Sequence, residues 1–524
     1  MKYNLLIALG IIISNGLSAQ KILSALHPAQ KHCEKVYKKL LNSIGDNRKT
    51  LPDLLVTERK KRVASYRSKD NVILIEKLAY DICEKMGADS ESALAFLIGH
   101  ELTHYYQKAD WGRSGEICHF LLNNEIHKKY SSEDEEADSY SGFISYLAGL
   151  RTLEIIPDFL EKIYKGYDFN NKLDEYPDLE ERKKVIYIVQ RKVRKYIQMY
   201  ESANYYLAVG WNYRAISCYT YLLEFIKTKE LYNNAGVVSL AAAIEHPEND
   251  GYSFLYPINI DLSNVFERSY TLEGRQEKLL KDAENYIKKA LTLDKSYCTS
   301  YINLACVYDL MGNVTDALTT LNMASNLSSN NLEEAKISII RGIVYAHNNQ
   351  IQKANEHFET AVQHYKGLPI TYVSRRNIQA INKSKKEGVK YNIEIKDQMD
   401  GLFFGDKLKR TSGAIPLRNS SILNTEVDFS TKARSYFSRF IIENKLDSKV
   451  SYAFIQRSRN KEIKTKRNIK VGDSYSKIKK AYDGMYFQIV HHRNGFFLLY
   501  PQKGLVFQLD QQKKLKEWAI FAEY

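Results

Sequence analysis

The sequence lacks paired cysteines and long hydrophobic runs. Its six cysteines are spread over 524 residues and none stands in a C-x-x-C pair, which excludes a dithiol redox motif and a zinc ribbon. No stretch approaches the roughly 20 apolar residues that a membrane-spanning helix needs. Histidine is scarce too, with 12 residues in the chain. Because histidines are scarce, two of them at a metal-binding spacing are less easily explained by chance.

The composition is that of a basic, globular protein. Hydrophobic residues make up 44% of the chain and the formal net charge is +14. The length predicts two to four domains. A positive charge of this size suits either an anionic partner or a solvated basic surface. We favour the solvated surface and expect no nucleic-acid partner.

The first residues have the features of a secretory signal peptide. Met1–Gln20 contains one lysine, the apolar run Leu5–Ile13 and a small-residue end. We expect cleavage after Ala19 and an exported protein, either periplasmic or secreted. An oxidising compartment permits disulfides, and Cys33 with Cys83 is the pair we expect.

The predicted helix Asp89–Gln107 contains an H-E-x-x-H pattern, His100-Glu101-Leu102-Thr103-His104. Histidines at positions i and i+4 share one face of a helix, so both imidazoles can reach one Zn²⁺. Glu101 lies about 100° round the helix, where its carboxylate can act as the general base for an attacking water. The pattern predicts zinc-dependent peptide hydrolysis. Two histidines on an ordinary buried helix are the alternative.

A third ligand has to come from a later segment. Metzincins place a histidine six residues after the second one, and here Asp110 holds that place. The predicted helix Ser132–Leu150 supplies carboxylates instead, at Asp134, Glu135 and Asp138. An acidic first turn also complements the helix dipole, which would explain the cluster without any metal.

Three segments in this order resemble the motifs of the HtpX-like gluzincin peptidases. They are HELTH at 100–104, DEEADSYSGF at 134–143 and YPDLEER at 176–182, beside that family's H-E-x-x-H, E-x-x-A-D and H-P-x-x-x-x-R. The resemblance implies a zinc ion held by His100, His104 and a carboxylate. By motif position that carboxylate is Asp134, where the family has glutamate, and Glu135 is the second choice.

The same resemblance assigns roles around the metal. Asp138 would hydrogen-bond a ligating histidine, and Arg182 would close a structural ion pair. Tyr176 stands where the family has histidine, and its hydroxyl could donate to an oxyanion.

From residue 196 the chain has the pattern of tetratricopeptide (TPR) units, in which small and aromatic residues recur over about 34 residues. The segments 203–222, 304–324 and 342–361 fit these offsets. Stacked units form a concave surface that binds peptides or partner proteins.

An insert at 244–276 separates the two helices of another unit. We expect it to cover the peptidase cleft or to meet substrate, with Tyr252, Phe254 and Tyr256 exposed, and a disordered spacer is the alternative.

The predicted fold is mostly α. It has a signal peptide at 1–19, a zincin-type α+β metallopeptidase domain at 20–195, a TPR α-solenoid at 196–383 and a small C-terminal α+β module at 392–524. In that module the basic run Arg457–Lys470 suggests peripheral contact with a membrane surface, or else a solvated loop.

A peptidase domain joined to such an array resembles the BepA-like periplasmic proteases. This resemblance implies an exported zinc metalloendopeptidase that acts on protein or peptide substrates in envelope quality control. A catalytically inactive scaffold that binds partner proteins is the alternative.

Overall fold

The computed structural model describes most of the chain in separate segments. They are 22–44, 50–60, 62–109, 117–119, 132–169, 178–244, 254, 256, 275–366, 370–382, 415–419, 423–432, 435–444, 450–485, 487–492 and 495–523. The predicted signal peptide lies outside them. The described chain is mostly helical and forms two compact units, Met1–Ile197 and Gln198–Tyr524. None of the helices in these segments has the length and apolar character that a membrane crossing requires.

The first unit contains a small mixed sheet. Its strands are β1 (Asp53–Thr57), β2 (Ala64–Arg67), β3 (Val72–Glu76) and β4 (Ile117–His119), in the order β1-β3-β2-β4. Strand β1 runs parallel to β3, and β2 runs antiparallel to both of its neighbours. Every residue of β3 is buried. The sequence predicts short strands at 54–56, 63–66 and 72–76, which match β1, β2 and β3 within one residue at each end, and it gives no signal for β4.

Six helices surround this sheet or follow it. They are α1 (Pro28–Ile44), α2 (Lys77–Glu84), α3 (Ser90–Ala109), α4 (Ser132–Leu147), α5 (Thr152–Tyr167) and α6 (Leu179–Ala208). Helix α3 packs against α1, α2, α4, α5 and the sheet. Its apolar run 93–98 is fully buried because other elements cover the helix on several sides. At Gly99 a Cβ atom would lie 2.5 Å from Ser141 Oγ, so glycine permits the close approach of α3 and α4.

The second unit begins with helices that pack side by side in sequence order. They are the end of α6, α7 (Asn212–Leu223), α8 (Lys229–Ile244), α9 (Arg275–Leu293), α10 (Cys298–Leu310), α11 (Val314–Leu327), α12 (Asn331–His347), α13 (Ile351–His364) and α14 (Thr371–Asn382). Short turns join most of them, and Gly312 (φ 77°) and Asn349 (φ 57°) supply left-handed residues at two of these turns. Small residues permit close contacts, as where Gly342 faces Phe358. The spacing of the pairs matches the helical repeats that the sequence predicts.

The insert between α8 and α9 contributes two buried aromatic residues to this array. Tyr256 Oη lies 2.5 Å from Asp309 Oδ2 and donates a hydrogen bond to it. The ring of Phe254 lies 5.1 Å from that of His347 and 6.3 Å from that of Phe358. The prediction that these aromatics are exposed was wrong, since both are 6% exposed. Tyr252 lies outside the described residues.

The C-terminal part forms one antiparallel sheet of eight described strands, with the order β5-β6-β7-β8-β12-β11-β10-β9. The strands are β5 (Ile415–Asn419), β6 (Leu423–Lys432), β7 (Ser435–Asn444), β8 (Val450–Ser458), β9 (Gln488–His492), β10 (Gly495–Tyr500), β11 (Leu505–Asp510) and β12 (Leu515–Glu523), and helix α15 (Tyr475–Ala481) precedes β9. The sequence predicts a helix at 474–482 and strands at 485–491, 495–500, 504–510 and 515–521, which match α15 and the last four strands. It missed β5 to β8, so the sheet is larger than expected.

The other cations of the basic run Arg457–Lys470 are exposed, as the solvated-loop alternative expects, but its first residue, Arg457, differs from that expectation. It lies in β8 and is fully buried. Its Nη1 atom lies 2.8 Å from Glu201 Oε2 and 3.3 Å from Glu517 Oε1. Two carboxylates thus compensate the buried guanidinium, which contacts the end of α6 instead of a lipid.

Candidate metal centre

Three side chains from α3 and α4 bring metal-binding atoms together. His100 Nε2 lies 3.1 Å from His104 Nε2. Asp134 Oδ1 lies 3.9 Å from the first of these atoms and 3.6 Å from the second. Within the segments that the structure describes, this is the group of His, Cys, Asp and Glu residues whose donor atoms are close enough to share one ion.

The second nitrogen of each imidazole is held by an acceptor. His100 Nδ1 lies 2.8 Å from Asp138 Oδ1, and His104 Nδ1 lies 2.7 Å from Gln107 Oε1. Because both partners are oxygens that accept, each Nδ1 carries a hydrogen, and the two Nε2 atoms face each other and Asp134. Arg182 Nη2 lies 2.7 Å from the other oxygen of Asp138 and compensates its charge.

These atoms fit a zinc ion. The 3.1 Å between the two Nε2 atoms suits either a proton shared in an N–H···N hydrogen bond or a cation bound by both nitrogens. A point about 2.1 Å from all three donor atoms exists, and zinc binds histidine nitrogen and carboxylate oxygen at about this distance. Two imidazoles and one carboxylate are also a donor set that zinc takes in catalytic sites, where a fourth position stays open.

The two histidines differ in proton affinity. Burial lowers the pKa of His100, but the hydrogen bond and charge of Asp138, together with the charges of Glu101 and Asp134, raise it above its ordinary value. The pKa of His104 is lowered, first by burial and then by the charge of His100. His104 is therefore a neutral imidazole at neutral pH, which is the form that binds a metal.

Glu101 lies in the same buried region and is attached to the sheet. Its Oε2 atom accepts a hydrogen bond of 2.7 Å from the backbone N–H of Tyr66 in β2. The residue is fully buried. This contact fixes the position of the carboxylate beside the two histidines, where a general base would have to stand.

Asp134 and Glu135 have separate surroundings. Asp134 faces the histidines, whereas Glu135 Oε1 lies 3.2 Å from Lys192 Nζ. The structure therefore brings Asp134 to the site and leaves Glu135 in an ion pair with α6. Tyr176 lies outside the described residues, so its expected role stays a prediction.

Sequence reasoning missed two groups that position the site. Gln107 holds His104, and its Nε2 also donates to Glu133 O (2.9 Å) and Glu136 Oε2 (3.0 Å), which ties α3 to α4. Its place three residues after His104 on one helix is a signal that could have found it. The N–H of Tyr66 gives no signal of this kind, because any residue of a strand has one.

The two expected disulfide partners are both free thiols. Cys33 and Cys83 are buried, and burial raises the pKa of the Cys33 thiol to about 12, with the charges of Glu84 and Glu34 adding to the effect. The predicted disulfide is absent from this part of the described chain.

Comparisons with known proteins do not identify a family for this chain. No protein family matches the chain, and no curated protein matches it. A solved structure that does match is a thermophilic TPR protein from Thermus thermophilus, with 16% identity, a TM-score of 0.27, and coverage of 45% of this chain and 95% of that one. A TM-score this low carries no argument about fold or function. The resemblance to HtpX-like peptidases accordingly stays a prediction based on three motifs.

Proposed function

We propose that the first unit is a zinc-dependent metallopeptidase domain. The observation that supports this best is the convergence of His100 Nε2, His104 Nε2 and Asp134 Oδ1, with each imidazole oriented through its Nδ1 atom. The carboxylate of Asp134, which approaches both Nε2 atoms, distinguishes this group from a hydrogen-bonded histidine pair on an ordinary buried helix.

Some of these side chains would bind or orient the metal ion's ligands, and another would transfer protons. A bound Zn²⁺ would polarise the scissile carbonyl and make a water beside it more acidic. His100, His104 and Asp134 would hold the ion, and Asp138 and Gln107 would keep the imidazoles in the required tautomer.

Glu101 would be the general base. Its Oε2 accepts the N–H of Tyr66, so the proton of the attacking water would pass to Oε1. The same oxygen would then donate this proton to the leaving amine, which returns Glu101 to its ionised form.

The predicted export signal and the helical repeats extend this proposal to the whole chain. It would be an exported endopeptidase whose substrates are proteins or peptides. The repeats of the second unit would bind substrates or partner proteins. Burial of Phe254 and Tyr256 in these repeats supports this role, since the helices there already accept aromatic side chains from a segment outside the repeat pattern. Quality control of envelope proteins is the process that this combination suits.

A catalytically inactive scaffold is the second candidate. The observation that favours it is Asp134, whose side chain is one methylene shorter than the glutamate of the family motif. Its oxygen lies farther from each imidazole nitrogen than these nitrogens lie from each other. The repeats would then bind partners without cleavage.

Zinc content and proteolysis together separate these two functions. We expect about one zinc per chain and cleavage of a casein-type substrate by the wild type. Glu101→Gln should keep the zinc and lose about 10²- to 10⁴-fold in rate, because an amide cannot take the proton. His100→Ala should lose both.

Glu91→Gln is the matched control, because Glu91 lies on the same helix and contacts Lys35 and Lys39 at its start. It should keep both zinc and activity. A wild type without zinc, or a Glu101→Gln variant as active as the wild type, would refute the peptidase and leave the scaffold.

A further inference from the structure

Helix α6 has one face that packs into the first unit and an opposite face that is exposed. The buried positions include Arg182, Ile186, Val189 and Val193. The exposed positions follow the helical spacing on the other side: Lys184, Tyr187, Ile188, Arg191, Arg194 and Lys195. We call these six residues the α6 outer face.

Two large apolar side chains lie midway along this face, about 100° apart around the helix, so that one lies toward each edge and cations lie between them. Tyr187 is 55% exposed and Ile188 is 57% exposed. Leu26, Phe225 and Met323 are the other exposed large hydrophobic residues in the described segments, and each of them stands alone in sequence. Single exposed hydrophobics are normal on a protein surface, but an adjacent pair inside a cationic face is not.

The cations of the α6 outer face surround this pair. Lys184 precedes it by one turn, Arg191 follows it by one turn, and Arg194 and Lys195 follow by two. Three other cations of the helix are not counted, because each has an acidic partner. Arg182 pairs with Asp138, Lys183 pairs with Glu161 and Glu180, and Lys192 pairs with Glu135.

Among the described residues of α6, the exposed carboxylates are Glu180 and Glu181, both in the first turn. Glu181 is the exposed carboxylate one turn before Lys184, and it lies at the helix N-terminus, where the helix dipole favours a negative charge. The face from Lys184 to Lys195 is otherwise cationic and apolar.

We propose that the α6 outer face binds the surface of a bilayer that contains anionic lipids. The helix would lie parallel to the surface, with Ile188 among the upper acyl chains and the amphipathic ring of Tyr187 at the headgroup level. Lys184, Arg191 and Lys195 have long side chains that reach lipid phosphates while their stems cover apolar surface.

A nucleic acid would use the same cations, but it offers no apolar partner for Ile188. The exposed aliphatic side chain of Ile188 therefore favours a lipid bilayer over a nucleic acid as the partner. The proposal does not depend on metal binding or on peptidase activity.

The test is flotation of the full-length chain with two kinds of vesicle, phosphatidylethanolamine with phosphatidylglycerol, and phosphatidylcholine alone. We expect binding to the first and little to the second, with a decline as salt rises. Arg191→Gln with Lys195→Gln should weaken binding about 25-fold, because each cation near the surface contributes about fivefold. Tyr187→Ser with Ile188→Ser should weaken it about tenfold.

The matched control is Lys278→Gln with Lys295→Gln, which removes the same charge from two exposed positions elsewhere in the chain. It should bind within about fivefold of the wild type. Circular dichroism of each variant checks that the fold is kept, which we expect because all substituted side chains are exposed.

Three results would overturn the proposal. The first is a wild type that does not bind anionic vesicles. The second is an equal loss of binding in the control and in the two α6 variants, which would show attraction by net charge alone. The third is binding of duplex DNA, without vesicle binding, that is lost in the Arg191 and Lys195 variant.

Discussion

The carboxylate of Asp138 holds the imidazole of His100 on one oxygen and the guanidinium of Arg182 on the other, at 2.8 and 2.7 Å. All three side chains are buried. The carboxylate accepts from both groups, and its contact with Nδ1 places a hydrogen of His100 on that nitrogen. A residue outside the proposed ligand set therefore controls which lone pair faces the metal.

Asp138→Asn should weaken zinc binding about 10- to 100-fold, because a neutral amide orients the imidazole less strongly than a carboxylate does. Titration with a zinc chelator measures this affinity. Asp158→Asn is the control, since Asp158 forms an exposed pair with Lys162 on α5, and its affinity should equal that of the wild type. Equal zinc affinity in all three proteins would remove Asp138 from the site.

Asp134 and Glu135 offer a second test, with neighbouring residues as variant and control. Asp134→Ala should lower zinc affinity by more than about 100-fold, beyond the usual effect of an outer residue. Glu135→Ala should keep the affinity, because its carboxylate contacts Lys192. Zinc occupancy after gel filtration measures both. The reverse result would make Glu135 the ligand.

Tyr256→Phe should destabilise the second unit by about 1–3 kcal/mol, because the buried Asp309 carboxylate loses a donor while its contact with His347 remains. Urea unfolding measures the change. Tyr301→Phe removes a hydroxyl from an exposed hydrogen bond to the backbone of Lys295 and should cost under about 0.5 kcal/mol. Equal effects of the two variants would mean that Tyr256 is not integrated in the array.

The burial of the Lys336 amine leads us to expect that the free energy of unfolding depends on pH. It is buried in α12, and burial lowers its pKa to about 8, although Glu333, Cys306 and Cys298 act in the opposite direction. The unfolded chain binds this proton up to about pH 10.4. Since the unfolded state binds more protons between these two values, the wild type gains stability as the pH rises from 8 to about 10.4.

Lys336→Met should therefore be more stable than the wild type at pH 7, by up to about 3 kcal/mol. This advantage should shrink as the pH rises and vanish near pH 10.4. Thermal unfolding over this pH range measures it, with the exposed Lys295→Met as a control that shows no such trend. A difference between Lys336→Met and wild type that does not change with pH would contradict the burial of a lowered-pKa amine.

Local patterns in the sequence were enough to determine the helix that carries His100, Glu101 and His104, because a spacing of four residues returns to the same face of any α-helix. They also determined β3 and the repeated helix pairs, where apolar and small residues recur at a fixed period. Each of these depends only on residues close together in the chain.

The tertiary structure decided what lies around that helix. Asp134 and Glu135 are neighbours about 100° apart on α4, so only the rotation of α4 against α3 selects which one faces the histidines. Strand β4 has three residues and no period of its own, and it exists because it pairs with β2. Tyr66 reaches Glu101 across 35 residues of sequence, and Arg457 belongs to a buried ion pair although its neighbours in sequence read as a basic loop. These contacts join segments that are distant in the chain. A local sequence pattern contains no information about which distant segment packs against it.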